Sequence, residues 1–183
     1  MSAKGFLVTA MGKDRPGIVA GVTKTLYQLG CNLEDSAMTR LGGEFAIMLM
    51  FEAPARVTLE TLHRRFAALE RSLRLVIHLK PLPSSERRAA ARAGGVYTLS
   101  LYGADRPGIV FKVSEALAKA SVNITDVQTR RSGTRRATPL YLVVLELELP
   151  PRLAAARLEQ TLQRLGKSLG VEVSLRSADA TVL

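Results

Sequence analysis

The sequence predicts an α+β fold made of two copies of one unit in tandem, and three observations predict it. Gly12-Lys13-Asp14-Arg15-Pro16-Gly17-Ile18-Val19 recurs 91 residues later as Gly103-Ala104-Asp105-Arg106-Pro107-Gly108-Ile109-Val110. At that same offset, 12 of the 35 positions from Phe6 to Arg40 are identical, among them Val22 with Val113, Leu26 with Leu117, Asn32 with Asn123, Asp35 with Asp126 and Arg40 with Arg131. Both copies also run through strand-like and helix-like patterns in one order, β-α-β-β-α-β. The first unit is assigned to residues 1–80 and the second to 96–183. Residues 81–95 join them, a segment with two prolines, Ser84-Ser85 and Gly94-Gly95.

Taken in order, Phe6–Met11 and Val96–Tyr102 are short apolar runs that end at glycine and predict the first strand of each copy. Ile18, Val19, Val22, Leu26 and Leu29 then follow helical spacing, as do Ile109, Val110, Val113 and Leu117. Pro16 and Pro107 are placed in the first helical turn, where the missing N–H is no loss. Gly30 closes the first of these helices, and Ser121 takes its place in the second copy. Asn32–Arg40 and Asn123–Arg131 predict a more polar second strand, and Phe45–Phe51 and Leu140–Leu149 an apolar third. Leu59, Leu62, Phe66, Leu69 and Leu73 form the next helical stripe, echoed by Leu153, Leu158, Leu162, Leu165 and Leu169. Leu75–Leu79 and Val171–Leu175 close each copy. Right-handed crossovers turn this order into an antiparallel four-stranded sheet with both helices on one face, the ferredoxin-like arrangement. A unit this small leaves one sheet face and one edge in need of cover, which predicts side-by-side pairing of the copies.

Composition narrows the function classes. Of 183 residues, 47% are hydrophobic, ample for packed cores and incompatible with a disordered chain. The single cysteine, Cys31, excludes an internal disulfide framework and a multi-cysteine metal site. No apolar run approaches the roughly 20 residues needed to span a bilayer, and Gly5–Gly12 reads as a strand rather than a leader, so a cytoplasmic protein is expected. The net charge of +10 invites a nucleic-acid reading. Much of that surplus sits in residues 80–95 and in the run Arg130, Arg131, Arg135 and Arg136, outside the repeated motif. Those arginines have no interleaved aromatics for base stacking, and no helix-turn-helix pattern is present. Direct nucleic-acid binding is therefore the weaker alternative. The second copy is about five residues longer at this hairpin, and the arginines there read either as a solvated loop or as a docking surface for an acidic partner.

The loop between first strand and first helix carries the most chemistry. Gly12 and Gly103 allow a tight turn, while Gly17 and Gly108 take side chains away from where a ligand could approach the backbone. Two readings stand side by side. Either Asp14 and Asp105 cap the helix, or the free amides at Gly17-Ile18 and Gly108-Ile109 receive a carboxylate or phosphate. His63 and His78 have no ligand spacing to Cys31 or to each other, and no phosphate loop, Ser/His/Asp set or acidic metal cluster is evident. Neither an enzyme nor a cofactor is expected. Cys31 reads as a small residue at a helix–strand junction, with a reactive thiol as the alternative.

Asp-Arg-Pro-Gly-Ile-Val after a short strand, followed by Asn-Leu-Glu-Asp or Asn-Ile-Thr-Asp at the start of the next, resembles the ACT domain in both copies. A free-standing pair most resembles the glycine cleavage system repressor group. That resemblance implies a regulator that binds a small amino acid, with glycine or serine leading, and that contacts a transcription factor, with a homo-oligomer as a further expectation. It implies a ligand site from Gly12, Asp14, Arg15, Pro16, Gly17 and Ile18 with Asn32, and from Gly103, Asp105, Arg106, Pro107, Gly108 and Ile109 with Asn123. The asparagines would hold the ligand's amino or carboxylate group across a domain interface. Lys13 faces Ala104 in the comparison of copies, so the two sites need not be equivalent.

Overall fold

The computed structural model describes residues 4–83, 95–132 and 139–178. Two units divide between Ala89 and Ala90, so that each strand set has its own core.

In the first unit, β1 (Lys4–Lys13), α1 (Ile18–Gln28), β2 (Asn32–Leu41), β3 (Glu44–Ala53), α2 (Leu59–Leu73) and β4 (Leu75–Leu82) follow in the expected order. The sheet is antiparallel with strand order β2-β3-β1-β4. Period-two alternation buries Phe6, Val8 and Ala10 of β1 and Phe45, Ile47, Leu49 and Phe51 of β3 on one face. Ile18, Val22 and Leu26 of α1 and Leu62 and Phe66 of α2 close over that face at helical spacing. The Phe6 and Phe51 rings stack there with centroids 5.6 Å apart. Thr58 caps α2 by accepting from the Thr61 amide. β2 is the sheet edge, exposed along its length, with a register shift between Leu33 and Ser36.

The second unit repeats this with β5 (Val96–Ala104), α3 (Ile109–Lys119), β6 (Asn123–Ser132), β7 (Leu140–Glu148), α4 (Ala155–Leu169) and β8 (Val171–Ser177). Its strand order is β6-β7-β5-β8, and the edge strand β6 shifts register between Ile124 and Asp126, the matching place. Leu99, Leu101, Val143, Leu145 and Leu147 of the sheet meet Ile109, Val113, Leu117, Leu158 and Leu162 of the helices.

The expected fold class is present in both copies, and one local reading changes. The first helix of each copy starts at Ile18 and Ile109, two residues after the proline, because Gly17 and Gly108 hold φ of 95° and 90° and cannot belong to a right-handed helix. Pro16 and Pro107 thus sit in the preceding turn. Gly30 (φ 72°) and Ser121 (φ 56°) both end their helices left-handed, as their equivalent positions suggest. No helix among the described residues is long and apolar enough to cross a membrane.

Candidate ligand-binding site

Each repeated loop joins a strand end to a helix start. The first helical bonds run from the Gly21 amide to the Gly17 carbonyl (2.8 Å) and from the Lys112 amide to the Gly108 carbonyl (3.0 Å). The amides of Ile18 to Ala20 and Ile109 to Phe111 precede any helical acceptor. No side chain caps either helix. A methyl group added at Gly17 or Gly108 would meet nothing within 4 Å, so the approach to these amides is open. The Ile18 and Ile109 side chains are buried in the cores, which leaves only their backbone to a ligand.

Asp14 and Asp105 are not caps. Asp14 Oδ2 accepts from Arg40 Nη1 at 3.2 Å, and Asp105 Oδ2 meets Arg131 Nε at 2.9 Å. The same ion pair thus ties loop to edge strand in both copies. Their backbone amides bond to the residue just before the third strand, Asp14 to the Gly43 carbonyl and Asp105 to the Pro139 carbonyl, both at 2.9 Å. The arrangement places a carboxylate, a guanidinium and a set of outward amides at one end of each unit.

Other predicted site residues are placed differently. Arg15 Nη2 donates to the Ser72 carbonyl at 3.4 Å, at the C-terminal end of α2, where a cation is favoured. A side chain built on Gly170 would meet Arg106 Nη1 at 3.3 Å, so Arg106 lies against the corresponding end of α4. Gly12 and Gly103 make no left-handed turn. A methyl at Gly12 would come within 3.0 Å of the Arg74 carbonyl oxygen, and one at Gly103 within 2.7 Å of the Gly170 carbonyl oxygen. Both are glycine because the backbone after the second helix passes too close for a Cβ.

Asn32 and Asn123 stand apart from their own loops. Asn32 is paired in register with Glu52 of β3, whereas Gly12 is paired with Phe45. Seven residues of β3 separate the two points, roughly 23 Å of strand. Asn123 pairs with Glu148, and its Nδ2 lies 3.5 Å from Glu148 Oε2. Gly103 pairs with Tyr141, again seven residues away. Asn32 and Asn123 thus lie far along the sheet from Gly12 and Gly103 of their own units. Asn32 instead lines a hollow of about 590 Å³ with Ala20, Lys24, Tyr27, Cys31 and Leu33.

Arg131 pairs with Asp105 of its own loop while its side chain stays 67% exposed. Arg130 is exposed on β6, and Arg135 and Arg136 lie outside the described residues. Burial pushes the Cys31 thiol above its ordinary value, against a smaller opposing pull from Arg56. Among the described residues no group of three His, Cys, Asp or Glu side chains could hold a metal.

Sequence reasoning missed the Asp–Arg pairs, although all four residues recur at the 91-residue offset. It also missed Phe111 and Tyr141, which line a cavity of about 410 Å³ with Asp105 to Val110. Their only sequence signal was that the repeat breaks at both positions.

Comparison with known proteins agrees with the fold of both units. Residues 4–80 and 97–163 match family models of the ACT domain. The glycine cleavage system transcriptional repressor of Escherichia coli (strain K12) is 30% identical over 185 residues, covering 96% of this chain and 91% of the relative. A UPF0237 protein of Streptococcus pneumoniae is 31% identical over 74 residues, 40% of this chain and 84% of that one. The crystal structure of an unknown protein from Galdieria sulphuraria superposes with a TM-score of 0.80 at 26% identity, covering 97% of this chain and 99% of that one. With two repeats of one fold, one loop motif in each and a full-length relative of this kind, the chain belongs to the ACT-domain family, as a tandem pair that resembles the glycine cleavage system transcriptional repressor.

Proposed function

We propose that this protein is an amino-acid-responsive repressor of glycine cleavage genes that is not an enzyme, works in the cytoplasm and acts through contact with a transcription factor. The observation that carries the reading is the repeated loop. Amides of the first helical turn without a side-chain cap lie beside an Asp–Arg pair in both units. The ligand's carboxylate is received by the helix-start amides, and its ammonium by the Asp14 or Asp105 carboxylate. An amino acid with both charges satisfies both receivers, which neither an amine nor a simple acid does. Binding favours one arrangement of the regulator over another and so changes its hold on the partner.

The full chain is titrated with glycine and serine while its thermal midpoint is followed. A rise is expected with either amino acid, and a smaller rise with glycinamide and N-acetylglycine, which each lack one charge. No shift with any of them at millimolar concentration sinks the amino-acid reading. A gel-shift with operator DNA tests the second half. Retention by this protein alone, selective for sequence, would favour the direct nucleic-acid alternative.

A further inference from the structure

The two loops share what reads the common part of an amino acid and differ in what surrounds it. Aspartate, arginine, glycine and outward amides are the same in both. Around them, Phe111 replaces Ala20, and partly buried Tyr141 stands where Phe45 is buried in the core. At the same strand ends the exposed ion pair of Lys13 with Glu44 (3.3 Å) gives way to Ala104 paired in register with Leu140. Every one of these changes makes the second loop's surroundings larger or more apolar.

Phe111 is the informative residue. It sits on the solvent side of α3, whose core face is Ile109, Val113 and Leu117, and it is 67% exposed. The ring is not part of the unit's core cluster, and covering it would remove apolar surface from water. It lines the cavity with Asp105, Pro107 and Tyr141. The cavity's volume of about 410 Å³ falls in the roughly 300–1,000 Å³ range of small-molecule clefts.

From this geometry we infer that Phe111 sets the side-chain specificity of the second unit, whose cavity takes an α-amino acid with an aliphatic or aromatic side chain. The first unit, with Ala20 at that position, has no such preference. The inference rests on the reading of the loops as amino-acid sites. The ligand's charged groups meet the shared receivers, and its side chain lies against the Phe111 and Tyr141 rings, removing apolar surface from water.

The test uses the full chain carrying Asp14→Asn, so that the second unit answers alone, in calorimetric titrations with glycine, alanine, leucine and phenylalanine. Leucine or phenylalanine is expected to bind roughly tenfold or more tighter than glycine, the discrimination an apolar pocket gives. Phe111→Ala is expected to erase that preference, while Phe111→Leu restores part of it. In the converse background, with Asp105→Asn, Ala20→Phe is expected to create a preference for leucine in the first unit. Circular dichroism of each variant confirms that the fold is kept. If amino acids bind but glycine is preferred, or Phe111→Ala leaves the ranking unchanged, this inference is wrong and the amino-acid reading survives. If none of the four binds even without Asp14→Asn, the amino-acid reading itself fails, and this inference with it.

Discussion

An ion pair that supports a loop and one that receives a ligand make different demands on stability. The Asp105 and Arg131 side chains are 27% and 67% exposed. Solvent screens such a pair, and its loss costs at most about 1 kcal/mol. Asp105→Asn is therefore expected to lower the thermal midpoint by no more than a few degrees and to weaken amino-acid binding by about tenfold or more, in paired melting and titration measurements. A large loss of stability with binding unchanged would make the carboxylate a structural brace. Cys31 gives a residue-level prediction of another kind. Its thiol is raised by burial, so the folded chain holds this proton to higher pH than the unfolded chain does. The contribution to stability is complete below the ordinary thiol value and is lost as pH rises through the raised one. Alkylation of the native protein at neutral pH is expected to be much slower than in urea, and Cys31→Ser to flatten the alkaline decline in stability. At this scale the sequence was legible in part. The recurrence of Asp14 and Arg40 as Asp105 and Arg131 was visible, but 26 residues of separation do not reveal that the loop after β1 meets the far end of β2. Likewise, nothing in the spacing of Arg15 said that it reaches the end of α2 rather than a ligand.

Elements were the most legible scale, because each appears twice. A chance apolar run seldom repeats at the right offset, so periodicity that is ambiguous in one copy is resolved by the other. What escaped was the reason for each glycine. Gly12 and Gly103 read as turn formers and prove to be places of close backbone approach, while Gly17 and Gly108 hold the left-handed cap. The distinction has a measurable consequence. At Gly108 a new side chain points into open space, so Gly108→Ala suffers only left-handed strain, about 1–2 kcal/mol. At Gly103 a Cβ would lie 2.7 Å from the Gly170 carbonyl oxygen and 2.9 Å from the Val171 Cα. That backbone cannot yield as a flexible side chain does, and Gly103→Ala is expected to cost more than Gly108→Ala. Urea titrations of the two variants decide the order, and equal midpoints would contradict it.

At the scale of the whole molecule, the net charge of +10 and the length of 183 residues each suggested something the repeat reinterprets. Charge that looked like a nucleic-acid footprint includes Arg131, committed to the loop of its own unit. Length compatible with one domain or two belongs to two units with separately composed cores. Each unit has four strands and two helices, and each sheet contains only strands of its own unit. The relative from Streptococcus pneumoniae aligns over 74 residues, 84% of its length, so one such unit makes up most of that protein. These facts predict that residues 1–89 alone fold. Expressed separately, that segment is expected to show native-like circular dichroism and one cooperative transition in urea. Its m-value should be about half of that for both units together, because the slope follows the surface exposed on unfolding. A segment with secondary structure but a broad, non-cooperative transition would mean that the core around Phe51 and Phe66 depends on residues beyond Ala89. The tandem would then be one folding unit despite its repeated design, and the internal comparison between Ala20 and Phe111 would no longer be a comparison of independent sites.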